Sequence, residues 1–361
     1  MLVHSFKLSS FRNFESAEID CHNGVNIFFG RNASGKTSLL EALFLLCLGR
    51  SQRGAVDTVM VKDGSDSYRV AGKIERDERV VEAAVAYQKN MRKQVSIDKL
   101  PVRTSELYGQ FAAVSTGPED TEIISGAPSV RRTVLDLYLS QISRKYLSTL
   151  TDYQRAMAQK NAALKMEQDP GAFNLLLADY GATVMYLRAQ FLGEISGDVS
   201  RLYSDISGGS SLQIEYDPSV GEVDFTDQQS IRRKFETRLE ELAQREMIVG
   251  SSLIGPHRDD IRFLIGGYPA RTHASQGEWR TAAVALKLAV YHQLRRKAST
   301  EPILLLDEIF AELDERRTEG LIGAFGEFGQ LFLTTASRPP DALMDRARRF
   351  RIDAGTVESA E

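Results

Sequence analysis

Apolar positions recur with two different periods along the chain, and the switch between them marks its parts. Residues 2–8 alternate as a strand does, and residues 16–19 suggest its partner. Residues 25–29 form a short buried strand, and residues 38–46 an apolar helix. Over residues 68–74, 80–87 and 94–97 the alternation predicts antiparallel strands separated by polar turns, with another strand at 111–114. Residues 130–165 contain no glycine or proline, and Leu135, Leu139, Ile142, Tyr146 and Leu150 step at helical spacing. Asp169-Pro170-Gly171 breaks this helix, and residues 173–202 resume its period, which predicts an antiparallel helical hairpin. A strand at 212–216 and a helix over about 228–247 complete the middle region. Strands then return at 261–265, 302–308 and 331–335, with a long helix from Ser275 to about Lys297 between the first two and a basic tail after the last.

The first third therefore reads as a mixed sheet with one βα unit, and the last third as strands alternating with helices around a parallel α/β core. The middle is a helical lobe inserted between them. The expected division is residues 1–125 with 250–361 for the sheet domain, and 126–249 for the lobe. A length of 361 residues suits one large or two ordinary domains, and 42% hydrophobic with 26% charged residues is ordinary for a soluble globular protein. The formal net charge of −4 excludes a polycation, so any nucleic-acid contact must come from a local patch. Cys21 and Cys47 sit in apolar or strand-like surroundings, as free thiols of a reducing cytosol do. The longest apolar run, 39–48, contains Glu41 and is too short to span a bilayer. No leader precedes the first strand, so a cytoplasmic protein with no membrane contact is expected.

Between the buried strand and the apolar helix lies Gly30-Arg31-Asn32-Ala33-Ser34-Gly35-Lys36-Thr37, the phosphate-loop pattern in its proper context. Backbone N–H groups turned inward and the dipole of the helix opening at Ser38 make an anion site there. Lys36 would reach the β- and γ-phosphates of ATP, and the Thr37 hydroxyl would hold Mg²⁺. A plain glycine turn before a core helix gives the same outline without the strand–loop–helix order. The apolar run 303–306 ends in Asp307-Glu308, at the strand end where α/β folds place ligands. Asp307 is the candidate second Mg²⁺ residue, and Glu308 the candidate for orienting or deprotonating the attacking water. Ser275-Gln276-Gly277 opens a helix with a hydroxyl and free N–H groups aimed at one anion, although a simple N-cap at Ser275 or Thr272 has the same form. Arg50 and Arg53, beside the phosphate loop's helix, could face phosphate or DNA, or cap that helix. Arg131-Arg132 and Arg232-Arg233-Lys234 are further candidates for a DNA face, against the commoner fate of a solvated helix surface.

The order of phosphate loop, serine–glycine helix start, acidic strand and following aspartate resembles that of the ABC-type ATPases. Asp314 in Ala311-Glu312-Leu313-Asp314 supplies the last feature. In such enzymes the helix start of one subunit covers the γ-phosphate held by the other, so Ser275 would act in trans. Phe11-Arg12-Asn13-Phe14, Gly49-Arg50-Ser51-Gln52-Arg53, Pro118-Glu119-Asp120 and Gly255-Pro256-His257-Arg258-Asp259-Asp260 sharpen the resemblance. Along essentially its full length the chain resembles the RecF family of bacterial recombination mediators, relatives of the SMC ATPases. The resemblance implies an ABC/SMC-type ATPase head with an inserted helical lobe. It implies a weak, DNA-stimulated ATPase that forms an ATP-dependent homodimer. It further implies binding to double-stranded DNA and single/double-strand junctions in the SOS response and gap repair, with RecO and RecR helping RecA onto DNA. Glu278 and Trp279 depart from the glutamines common after that serine, and Thr334-Thr335-Ala336 lacks the switch histidine of transporters. Gln110 is the candidate for the glutamine such enzymes place near the metal. An ABC transporter subunit is a rival reading, opposed by the missing histidine and the long insertion. A kinase or GTPase would not need Ser275-Gln276-Gly277, and an ATP-dependent DNA clamp with negligible hydrolysis is the third alternative.

Overall fold

A computed structural model of the chain describes residues 1–298, 300–311, 315–325, 328–337, 339, 341–344 and 347–360. The N-terminal elements are β1 (Leu2–Phe11), β2 (Phe14–Asp20), β3 (Val25–Phe29), α1 (Lys36–Leu48) and α2 (Asp57–Met60). Next come β4 (Ser67–Arg76), β5 (Arg79–Gln88), β6 (Gln94–Ile97), β7 (Leu100–Val102) and β8 (Ala113–Thr116). The helical stretch holds α3 (Thr121–Ser125), α4 (Pro128–Ile142), α5 (Arg144–Lys165) and α6 (Gly171–Ser207), then β9 (Leu212–Asp217) and α7 (Gln228–Val249). After it run β10 (Asp260–Ile265), β11 (Tyr268–Pro269), α8 (Ala270–His273) and α9 (Gln276–Lys297). The chain finishes with β12 (Ile303–Asp307), α10 (Glu315–Phe325), β13 (Leu331–Thr335), α11 (Asp341–Met344), β14 (Ala347–Asp353) and β15 (Thr356–Ala360).

These elements divide into two compact units, one of residues 1–120, 205–209 and 283–361, the other of 121–204 and 210–282. The first unit has two six-stranded sheets among its described residues. One is antiparallel, in the order β2-β1-β4-β5-β6-β7. The other runs β15-β14-β3-β13-β12-β8, parallel from β14 to β8 with β15 antiparallel at its edge. Helix α1 packs against strands of both sheets, which is why its sequence is apolar all round and nearly every residue of it is buried. β12 and β13 are buried along their whole length, as strands covered on both faces must be.

In the second unit α5, α6 and α7 enclose a core of Tyr153, Ala156, Leu177, Ala182, Met185, Ile231 and Phe235. A three-stranded sheet, β11-β10-β9, belongs to the same unit. The chain touches the first unit at residues 205–209 and returns to it for the remainder from residue 283; residues 250–282 cluster with the helices, whereas the sequence pattern places that boundary at 249/250. The physical reason is that β10 pairs with β9 and packs on α4.

Two elements differ from the sequence pattern. The single helix expected over 130–165 is two, because Ser143 is extended at φ −132° and its hydroxyl caps α5 by accepting from the Tyr146 N–H. The stretch expected to be a basic tail is the hairpin β14–β15, whose first strand pairs in parallel with β3.

Candidate functional site

The loop after β3 is shaped by residues that tolerate unusual backbone angles, with φ of 156° at Gly30, 64° at Ala33 and 112° at Gly35. A Cβ on Gly30 would lie 2.2 Å from the Ile352 carbonyl oxygen, and one on Gly35 would lie 2.4 Å from the Asn13 side-chain nitrogen. Asn13 donates to the Ser34 carbonyl at 2.9 Å, and the Gly355 N–H reaches the same oxygen at 3.4 Å. The loop is thus held between the β1–β2 turn and the β14–β15 turn. Gly35 is the N-cap of α1, with no side-chain cap and no acid in the first turn. Its first N–H groups and the helix dipole face an anion site unopposed. The buried Ser34 hydroxyl has no hydrogen-bond partner among the described residues, so the cradle still has a donor to give.

Lys36 is 5% exposed; its ammonium donates to the Gly30 and Arg31 carbonyls at 2.9 and 3.0 Å. It also stands 3.1 Å from Glu308 Oε1. The other oxygen of Glu308 accepts from the Ala336 N–H at 3.0 Å, and the Glu308 N–H donates to the Thr334 hydroxyl oxygen. Glu308 itself is left-handed, with φ 46°. Asp307 accepts from the Thr37 hydroxyl at 3.0 Å and from the Thr334 hydroxyl at 2.6 Å, both on Oδ1. Burial pushes the Asp307 carboxyl up from its usual range, against the lowering effect of these two hydrogen bonds. A hydroxyl and a carboxylate side by side are hard oxygen donors, and Mg²⁺ takes one or two such groups with phosphate oxygens and water. The residues present therefore fit that ion.

A cavity of ≈ 690 Å³ opens over the loop, lined by Asn32, Lys36, Thr37 and Glu308 together with Arg12, Val59, Lys62 and Asp63. Its size suits a nucleotide. Arg12 is fixed there by a bidentate pair with the buried Glu41 of α1, at 2.7 Å for both bonds. Ser51 donates to the same carboxylate and accepts from the Arg53 N–H, so Glu41 braces both arginines that line the cavity. Gln110 lies before β8. It is the chain after β8 that approaches the metal residues: a Cβ on Gly117 would sit 3.3 Å from Asp307 Cβ. Glu119, whose carboxyl is raised by burial, lies 3.7 Å from Arg53. The sequence pattern does not mark Arg12, Glu41 or the Thr334 hydroxyl as site groups, since none of them carries a nucleotide motif by itself.

Ser275 immediately precedes α9 and lies in the second unit. Its N–H and hydroxyl both donate to Glu278 at 2.8 Å, and its oxygen accepts from the Glu278 N–H at 3.3 Å. This is a reciprocal capping box, formed by the residue that departs from the usual pattern. Gln276 and Gly277 follow in the first turn of that helix. Asp314 lies outside the described residues. Of the candidate DNA contacts, Arg50 bonds the Tyr108 hydroxyl, Arg53 lines the cavity over the loop and Arg131 is 3% exposed in a bidentate pair with Asp260. Arg232 pairs with Asp179 and Glu236, Arg233 with Asp227, and Lys234 is exposed. Arg132 alone of the pair 131–132 lacks a carboxylate among the described residues. The two cysteines are free, and burial pushes the Cys47 thiol up to about 12. No described helix is long and apolar enough to cross a membrane.

Residues 2–355 match the family model of the RecF/RecN/SMC N-terminal domain. The chain is 36% identical over 369 residues to the DNA replication and repair protein RecF of Symbiobacterium thermophilum, covering 99% of this chain and 98% of that protein. It is 33% identical to RecF of Thermoanaerobacter sp. strain X514 over 345 residues, 94% of this chain and 95% of the relative. A solved structure of the recombination mediator protein RecF with ATP, in the RecFOR pathway, superposes with a TM-score of 0.91 at 31% identity, covering 100% of this chain and 98% of the other. The Smc head domain of Pyrococcus furiosus shares the fold, with a TM-score of 0.57 at 15% identity over 99% of this chain and 96% of that one.

Proposed function

Because this chain belongs to the RecF/RecN/SMC N-terminal domain family, as a member of its RecF branch, we propose that it is a DNA-binding ATPase of recombinational gap repair. In this reading it binds ATP, dimerises with it in the cytoplasm, and engages double-stranded DNA or single/double-strand junctions. With RecO and RecR it helps load RecA, under the SOS response. The observation that carries the ATPase reading is the meeting of Lys36, Thr37, Asp307 and Glu308 at one point, although two stretches far apart in sequence supply them.

The residues divide the work. Loop N–H groups from Gly30 to Ser38 bind the phosphates, and Lys36 exchanges the Gly30 and Arg31 carbonyls for phosphate oxygens. Thr37 and Asp307 would hold Mg²⁺, whose charge would offset that of the bound phosphates. Glu308 accepts the proton of the attacking water on the oxygen that faces Lys36, because its other oxygen is fixed by the Ala336 N–H. Ser275, with Gln276 and Gly277, covers the γ-phosphate of the partner subunit, and Asp314 completes the trans contact. Slow turnover that rises when duplex DNA is added is the expected result of a nucleotide-hydrolysis assay. ATP binding with no turnover under either condition would favour the non-hydrolysing clamp instead.

A further inference from the structure

The turn of residues 255–260 in the second unit carries a cation that the nucleotide chemistry does not use. Gly255 has φ 122°, and a Cβ there would meet the Tyr153 hydroxyl at 2.3 Å, so the turn is fixed tightly against α5. The Arg258 N–H closes it on the Gly255 carbonyl at 2.7 Å. Around the turn, carboxylates and guanidinium groups are matched unequally. Asp136 is taken by Arg188, Asp260 by Arg131, and the buried Asp259 by the Tyr216 hydroxyl and the Ser219 N–H. Arg132 and Arg258 are left over.

Among the described residues the Arg132 side chain makes one hydrogen bond, to the Asp259 carbonyl at 2.6 Å, and the Arg258 side chain one weak bond, to the Ser252 carbonyl at 3.3 Å. Neither has an ion pair among the described residues. The Arg132 guanidinium sits on the carbonyl of Asp259, the residue that follows Arg258, so the two arginines belong to one patch. Arg132 is half-buried, and burial together with the neighbouring Arg188 cation disfavours its charge, outweighing the opposite pull of Asp259, Asp260 and Asp136. A partly desolvated guanidinium beside another cation is costly unless an anion completes it. Its fork is left with donors in the geometry that phosphate accepts in pairs. The turn that carries Arg258 is pinned at Gly255 and Asp259, so little backbone ordering would be lost on binding.

We propose that Arg132 and Arg258 together hold a phosphate of a nucleic-acid backbone. The inference rests on the reading of this protein as DNA-binding and gives that reading a location. Arg131, adjacent in sequence and identical in type, is excluded from it because Asp260 already fills its fork.

The test is fluorescence anisotropy of a labelled duplex and a labelled single strand titrated with the full-length protein across a salt series. Arg132→Ala and Arg258→Ala are each expected to weaken binding roughly tenfold, and to lower the log–log salt slope by about 0.9 for each phosphate that is no longer neutralised. Arg155→Ala, which removes an exposed arginine already paired with Asp152, should leave both unchanged. Retained ATP binding and an unshifted melting temperature confirm folding; should Arg132→Ala not fold, the exposed Arg258→Ala and the charge-keeping Arg132→Lys decide. A double variant that binds both oligonucleotides like the parent, with the same salt slope, overturns the inference while leaving DNA binding intact. Loss of inorganic phosphate binding without any loss of DNA binding likewise overturns it, by assigning the site to a free anion. If the parent protein binds no DNA at all, the functional reading itself falls, and the inference with it.

Discussion

The Lys36 ammonium rests 3.1 Å from Glu308 Oε1, joining the phosphate loop to the residue after the acidic strand. A triphosphate in the loop competes for that ammonium. Its arrival would free the carboxylate oxygen that Lys36 holds, so nucleotide binding itself would expose the base to water.

That competition makes Glu308→Gln informative. The amide keeps the shape and cannot take a proton, so ATP binding and dimerisation are expected to persist while turnover falls by about 10²-fold or more. Lys36→Ala and Asp307→Asn should act differently, raising the ATP concentration needed for binding. Normal turnover in Glu308→Gln would remove the residue from the chemistry.

A second expectation concerns the C-terminal hairpin. Gly30→Ala drives a methyl group to 2.2 Å from the Ile352 carbonyl, a backbone atom that cannot swing aside. Either the loop or β14 must move. Loss of fluorescent ATP-analogue binding, with little change in DNA binding, is the expected result. Wild-type ATP affinity would show that the hairpin does not set the loop's shape.

For the proposed paired active site, mixing variants gives the clearest readout. Lys36→Ala alone and Ser275→Arg alone should each be inactive. A mixed dimer carries both defects in one composite site and neither in the other, so combining the two proteins should recover part of the ATPase rate. Mixed dimers that form and stay silent would mean that Ser275 does not act in trans or that the two sites fire only together.

Stability should depend on pH through His257. Its Nδ1 meets the Tyr153 hydroxyl at 2.6 Å and its Nε2 faces the Ser252 carbonyl, which assigns the proton of the neutral ring to Nε2. Burial lowers this imidazole from 6.5 to about 4. A depressed histidine binds fewer protons folded than unfolded, so its contribution is complete above pH 6.5 and is lost as pH falls toward 4. The loss should be roughly 3 kcal/mol across that window. Urea melts of the parent and His257→Gln at pH 7.5 and pH 5, values on either side of its upper edge, should show a smaller acid penalty in the variant. Equal penalties would exclude His257 as a source.

Much of the candidate nucleotide site is legible because its parts are local. A strand, a glycine loop and a helix start are adjacent in sequence, and so are the apolar run and Asp307-Glu308. The partners that tune these residues were hidden because they come from elsewhere: Thr334 from β13, Asn13 from the β1–β2 turn, Ile352 from β14. β14 itself was disguised. Only Phe350 and Ile352 among its residues are buried, and Arg348, Arg349 and Arg351 gave it the composition of a tail. The break at Ser143 was hidden for the opposite reason, since a helical period continues across it and only the cap marks the boundary.

By itself the sequence determined the backbone devices and the period of each element, because glycine freedom, capping and amphipathic spacing act over a few residues. Only the tertiary structure decided which charges are spent and which remain. Arg131 and Arg132 are the same residue type on the same helix, yet about 100° of rotation separates them. One turns inward to the Asp260 carboxylate, and the other reaches the Asp259 carbonyl. Ion-pair partners are fixed by the packing of α4 against β10, which lies more than a hundred residues further along the chain.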